Sequence, residues 1–262
     1  MEAVIAIYRE PLFVLFPVAS VLIGAGVFLV VALPLNWLAA ANPQRLRRYR
    51  LQDRPSTGSR YFWPSLARLA LSLLCLLALA VVLWPLLRWS AVHAGGWPAW
   101  LEVAWQLPAF LVIDDFCFYF LHRTLHLPWL FKRVHAVHHR VRTPSALAGG
   151  YFHPIDYVLP SLVALTGPLL VGAHVITIWI WAALRQWLNA DGHSGYALPW
   201  SPGRLLPGYP GPAFHDWHHR SCRGNYANVF IWLDRWFGTV APGYPGSRGT
   251  KGGSSRADRG GA

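Results

Sequence analysis

The chain has 262 residues, 54% of them hydrophobic and only 13% charged. A soluble domain carries roughly 25% charged residues, so this chain lacks the charge to cover a water-facing surface, and a wholly soluble protein is excluded. Its net charge of +12 is read first as retention of membrane topology and contact with anionic lipid headgroups, with docking of an acidic electron carrier as the alternative; no nucleic-acid partner is expected of a chain so apolar.

Four apolar runs follow one another. Pro11 to Gln44 contains no Asp, Glu, Lys or Arg, and Leu69 to Leu87 is charge-free for 19 residues. Val103 to Ile113 is apolar and continues through Asp114 and Asp115 to Leu121, and Tyr157 to Leu184 adds 28 residues without charge. A bilayer-spanning helix needs about 20 apolar residues, so at least three spans are predicted. The first run is too long for a signal peptide, has no small-residue cleavage site and is followed by further spans.

Orientation follows from arginine. Arg45, Arg47, Arg48, Arg50, Arg54 and Arg60 lie between the first two runs, opposed only by Asp53. By the positive-inside bias this loop is cytoplasmic, and counting crossings puts the end of the third run on the same side. Lys132, Arg133, Arg140 and Arg142 agree with that placement. In the last run Gly167, Pro168 and Gly172 interrupt the middle, which predicts a hairpin that returns to the cytoplasm, with His174 packed at its tip.

The expected fold is therefore an all-α integral membrane protein. About four to five membrane helices, the last pair a hairpin, carry a cytoplasmic histidine-rich helical cap. Residues 1–100 are read as N-terminal membrane helices, 101–245 as the metal-binding domain and 246–262 as a disordered basic tail. Cys75, Cys117 and Cys222 are odd in number, so no disulfide framework is expected. The 15 Trp residues are read as core and interface-belt residues, and His93 as solvated.

Eight of the twelve histidines fall into three boxes: His122 and His126; His135, His138 and His139; His215, His218 and His219. On helices each box presents one face, and His193 follows the hairpin. Nine imidazoles exceed what one ion takes, whether tetrahedral or octahedral. They divide over two ions with positions left open, and imidazole-rich ligation suits iron. Asp115, Tyr119, His122 and His126 form one stripe at about 100° per residue, so Asp115 and Tyr119 are candidates to support a ligand imidazole. His153 and Asp191, near the second box and beside His193, are further candidates.

The order of boxes, His-x-x-x-His, His-x-x-His-His and His-x-x-His-His, resembles the fatty acid hydroxylase and sterol desaturase superfamily from about Asp114 to Thr239. Within it the chain is most similar to C-4 sterol methyl oxidases. His193-Ser194-Gly195-Tyr196, Pro199-Trp200-Ser201, Leu206-Pro207 and Phe214 to His219 carry the likeness, with Gly224 to Asn228 and Asp234 to Thr239. Asp156 stands where the family commonly has Glu, and Phe214 where many members have a further His.

The resemblance implies a membrane-bound, non-haem di-iron monooxygenase whose metal ligands are His122, His126, His135, His138, His139, His193, His215, His218 and His219. It implies two iron ions, O2, a sterol or acyl lipid entering from the bilayer, and an external electron donor such as cytochrome b5 or ferredoxin with its reductase. It also implies residence in the endoplasmic reticulum membrane of a eukaryote or the inner membrane of a bacterium. The C-4 methyl group of a sterol is the first expected target. A fatty acyl or isoprenoid hydroxylase or desaturase is the second, and a di-zinc membrane hydrolase using activated water the third.

Overall fold

The computed structural model describes residues 2–54 and 56–245; the expected basic tail, 246–262, lies outside them. Among the described residues the chain is helical without a β-strand, and four segments are long and apolar enough to cross a membrane. These are α1 (Pro11–Ala41), α2 (Gly58–Leu87), α3 (Trp100–Leu125) and the composite segment Pro154–Val171. The protein is a multi-pass membrane protein, within the expected range of spans.

A short helix α4 (Pro128–Arg133) and a 3-10 turn over His135–Arg140 follow α3. The composite segment consists of α5 (Pro154–Ala164) and α6 (Thr166–Val171). The chain then reverses into α7 (Val175–Gly192). Gly172 closes α6 at φ +63°, and a Cβ there would stand 2.6 Å from Ala91 Cβ. That left-handed, crowded corner requires glycine. His174 caps α7, its Nδ1 accepting from the Ile176 amide at 3.1 Å. The hairpin expected from the sequence is thus present, with His174 at its tip.

Two cores divide the bundle along its length. Phe16, Trp84, Phe110, Ile178 and Trp181 pack at the hairpin-tip end. Phe28, Ala32, Leu69, Leu147 and Ala190 pack toward the other end. The outer faces are apolar as well: Val30, Leu74, Val82 and Leu86 are exposed, as helices facing hydrocarbon require. Exposed Trp89, Trp97 and Trp100 mark one end and Trp37 and Trp63 the other, the belt arrangement of interfacial tryptophans.

The ends of α3 and α7 and the start of α5 meet at one end of the bundle, and the arginine-rich loop joins them there. Leu51 N donates to Gly195 O at 3.0 Å and Ala197 N to Tyr49 O at 2.8 Å. Gln52 Nε2 donates to Arg142 O and to Asp216 Oδ1, each at 2.9 Å. The final helices, α8 (Pro212–Ser221) and α9 (Trp232–Trp236), close over this end.

Candidate metal centre

All nine expected histidines converge at the closed end of the bundle. They form two groups: His122, His126, His135, His139 and His218; and His138, His193, His215 and His219. In each group the ligand-capable atoms lie within 4.8 Å of one another. Helix α3 delivers His122 and ends at His126, α7 ends immediately before His193, and α8 carries the third box. The second box does not form the helical face expected of it. Val134 (φ −120°, ψ −68°) breaks the helix ahead of it, and the 3-10 turn sends His135 and His139 to one group and His138 to the other.

The hydrogen-bond pattern fixes the tautomers. His122 Nδ1 donates to Tyr226 O at 2.7 Å, His218 Nδ1 to Gly224 O at 2.7 Å and His219 Nδ1 to Val141 O at 2.9 Å. His193 Nδ1 donates to Asn189 O at 2.8 Å, and His135 Nδ1 to Asp156 Oδ2 at 2.8 Å. A carbonyl oxygen only accepts, so Nδ1 holds the proton and a neutral ring presents a bare lone pair at Nε2. His138 is held differently, stacked on Phe152 with ring centroids 4.1 Å apart.

The Nε2 atoms of the two groups nevertheless face one another, among them the bare pair of His122 and His135. Nε2 of His135 lies 3.1 Å from Nε2 of His122 and 3.1 Å from that of His139, which lies 3.0 Å from His218 Nε2. In the second group His193 Nε2 is 3.2 Å from His138 Nε2 and 2.9 Å from His215 Nε2, itself 3.1 Å from His219 Nε2. His126 Nε2 is buried with no hydrogen-bond partner. Converging lone pairs repel unless a cation lies between them, so the donor set fits metal ions.

Burial keeps these rings neutral. Desolvation, with repulsion from neighbouring imidazoles, lowers His138, His139, His215, His218 and His219 well below the ordinary histidine value. Burial and nearby His135 lower His126 to about 3, and burial lowers His193 to about 4. Neutral imidazole is the form that binds metal.

The expected supporting residues are placed elsewhere in the network. Asp115 accepts from the amides of Asn228, Val229 and Phe230 at 3.0, 2.7 and 3.3 Å. Tyr119 OH pairs with Thr239 Oγ1 at 2.9 Å, which donates to Asp234 Oδ1 at 2.7 Å. Asp234 also accepts from the Tyr226 and Ala227 amides at 2.9 and 2.8 Å. Together they fix the loop whose carbonyls hold His122 and His218, one layer behind the imidazoles. Asp191 accepts from Ser201 and Tyr209 at 2.7 and 3.3 Å, and His153 caps α5 through the Ile155 amide at 3.3 Å.

Asp156 is the carboxylate that touches a box imidazole, and sequence reasoning had not named it for that task. Its signal was its place two residues after Pro154, where the family commonly has Glu.

Two adjoining cavities lie in the bundle, and one of them opens on the centre. One, of about 110 Å³, is lined by apolar side chains of α1, α2, α5 and α7, including Val21, Leu76, Leu83 and Leu162. The second, of about 70 Å³, reaches His122, His135, His138, His193 and His215. Tyr157, Ser161, Arg185 and Gln186 line both.

The profile of the family described as fatty acid hydroxylase matches residues 107–239. A very-long-chain aldehyde decarbonylase of Oryza sativa subsp. indica is 38% identical over 73% of this chain and 74% of its own length. Methylsterol monooxygenase 2-2 of Arabidopsis thaliana is 36% identical over 85% of this chain and 84% of its own. Methylsterol monooxygenase 1-3 of the same plant is 30% identical over 89% and 78%. No solved structure matches the chain.

Proposed function

We propose an activity for this chain on the premise that it belongs to the fatty acid hydroxylase family and is, like its relatives, a membrane oxidoreductase. It binds two iron ions, takes O2 and two electrons, and oxidises an unactivated C–H bond of a lipid, in the first instance the C-4 methyl group of a sterol. The observation that carries this reading is the pair of buried imidazole groups whose ring nitrogens converge within 4.8 Å of one another.

His122, His126, His135, His139 and His218 would hold one ion, and His138, His193, His215 and His219 the other. Bound iron supplies the oxidising power that no side chain has. The chain's own groups do the rest. Asp156 orients His135 and raises its basicity through Nδ1. Phe118, Leu125 and Phe152 line the histidine cavity and exclude water from the reacting carbon. The apolar cavity receives the body of the lipid from the bilayer.

No nucleotide or flavin motif stands in the sequence, so electrons come from an external carrier of the cytochrome b5 or ferredoxin type. The arginine-rich loop lies at the histidine end. It supports a cytoplasmic site, in the endoplasmic reticulum of a eukaryote or the inner membrane of a bacterium. The aldehyde decarbonylase relative favours a second reading, in which the lipid is a very-long-chain aldehyde. A di-zinc hydrolase finds no support among the relatives, which are named as monooxygenases and decarbonylases.

Metal analysis of detergent-purified protein, with aerobic and anaerobic turnover on a 4-methylsterol, tests the reading. Two irons per chain and oxidation that needs both O2 and a reductant are expected. Zinc, or turnover without oxygen, would sink it.

A further inference from the structure

Asp114 on α3 and Arg185 on α7 face each other eight residues before His122 and His193, about 12 Å back along each helix. Arg185 Nε lies 3.1 Å from each Asp114 carboxylate oxygen, and the side chains are 13% and 2% exposed. Helix α3 is one of the four membrane-length segments and α7 packs back beside it, and ionised groups at such depth are costly and mark function. A buried ion pair adds little stability over well-packed apolar residues, so stability alone does not account for this one.

Its surroundings indicate the role. Arg185 lines both cavities and stands where the apolar one meets the histidine chamber. The neighbouring polar groups are occupied: Gln186 donates to Tyr157 OH at 3.3 Å, and Asn189 donates to Gln186 at 3.2 Å and to Gly149 O at 3.0 Å. Arg185 uses only Nε. Among the described residues its two terminal amino groups make no hydrogen bond, although the side chain borders both the apolar cavity and the histidine chamber.

We infer that Arg185 is the recognition site for an oxygen function on the lipid substrate. The chemical class is a hydroxyl, aldehyde or carboxylate oxygen on a molecule whose apolar remainder fills the larger cavity. Asp114 balances the charge and aims the guanidinium. The site therefore orders the substrate, polar end toward the histidines, and selects oxygenated lipids over hydrocarbons. This rests on the lipid oxidation proposed above and deepens it.

Binding of two probe pairs to the full chain in detergent tests it, read by tryptophan fluorescence. One pair is a 4-methylsterol with a free 3-hydroxyl and its 3-deoxy analogue; the other is a very-long-chain aldehyde and the alkane of equal length. The variants are Arg185→Gln and the double change Asp114→Asn with Arg185→Gln, which leaves no uncompensated buried carboxylate. In at least one pair the unaltered protein should prefer the oxygenated probe by about tenfold or more, the worth of a charge-assisted hydrogen bond. Both variants should bring that ratio near one with hydrocarbon affinity unchanged. A ratio that survives in the double variant, or no preference in either pair, overturns the inference. Preference within the aldehyde pair alone keeps Arg185 as the reader and removes the sterol. An Arg185-dependent preference in a protein whose turnover ignores O2 keeps the site and removes the oxygenase.

Discussion

His138 and His218 hold the same place in their boxes, and each faces the group that its box partners do not. His135 and His139 join the first group while His138 joins the second; His215 and His219 join the second while His218 joins the first. On α8 the reason is helical geometry. Residues i and i+4 lie about 40° apart, and i+3 falls about 60° to the other side. The outer pair of a box therefore aims one way and the middle imidazole the other. The 3-10 turn of the second box reaches the same division by a different backbone. Neither group assembles without both boxes, which couples the end of α3 to α8.

Because of that crossing, a single truncation should damage one group and leave the other filled. His138→Ala is expected to lower metal content from two ions toward one per chain and to reduce turnover by at least about 100-fold. His218→Ala should do the same from the opposite group. Metal content measured by mass spectrometry beside turnover checks both. Two ions and near-normal rates in His138→Ala would remove it from the ligand set.

The bundle was legible because its signals are local. Charge-free runs report membrane spans, arginine placement reports which loops share an end, and Gly172 reports the corner of the hairpin. The convergence of the histidines followed from putting those ends together. The division of each box between two groups was not legible, because spacing defines a face of a helix and says nothing of what that face meets. Asp115 illustrates the same limit: its stripe with His122 is real, but its carboxylate is taken by amides 113–115 residues away. Asp156 reaches His135 across 21 residues and two changes of direction, which no periodicity encodes.

Asp156→Asn keeps the size of the side chain and removes the charge that holds His135. A carboxylate bonded to a ligand imidazole is worth about 10–100-fold in metal affinity or activity. Turnover and metal affinity should fall within that range, with the fold intact by circular dichroism. Asp156→Glu should recover part of the loss. Unchanged metal affinity in Asp156→Asn would show that the contact does not tune the ligand.

Tyr196 has a buried hydroxyl with no hydrogen-bond partner, and burial raises its pKa above the ordinary value, with Arg50 and Arg47 opposing. The folded state therefore holds the phenolic proton more tightly than the unfolded chain does. The stability this confers is complete below about pH 10, the ordinary tyrosine value, and is lost as pH rises through the higher folded value. Tyr196→Phe should remove that alkaline slope. At neutral pH it should be neutral or stabilising by up to about 2 kcal/mol, since an unsatisfied polar group disappears. Thermal unfolding at neutral and strongly alkaline pH checks both parts; an undiminished alkaline slope in the variant would refute the assignment.

Gly149, in the 3-10 segment Ala146–Gly150, lies against His193 of the second group. A Cβ there would stand 2.8 Å from Asn189 Oδ1, 3.1 Å from His193 Nδ1 and 3.1 Å from Phe28. The first two atoms belong to the hydrogen-bonded end of α7 that aims His193. Gly149→Ala should cost about 1–3 kcal/mol by overpacking. Its second effect is the more telling one. Pushing His193 out of register should weaken metal binding in the second group while sparing the first, since Gly149 touches no imidazole of the first. Expected is a lower unfolding temperature together with loss of about one ion per chain. Equal loss from both groups would mean that the substitution acts on the fold as a whole and not on the position of His193.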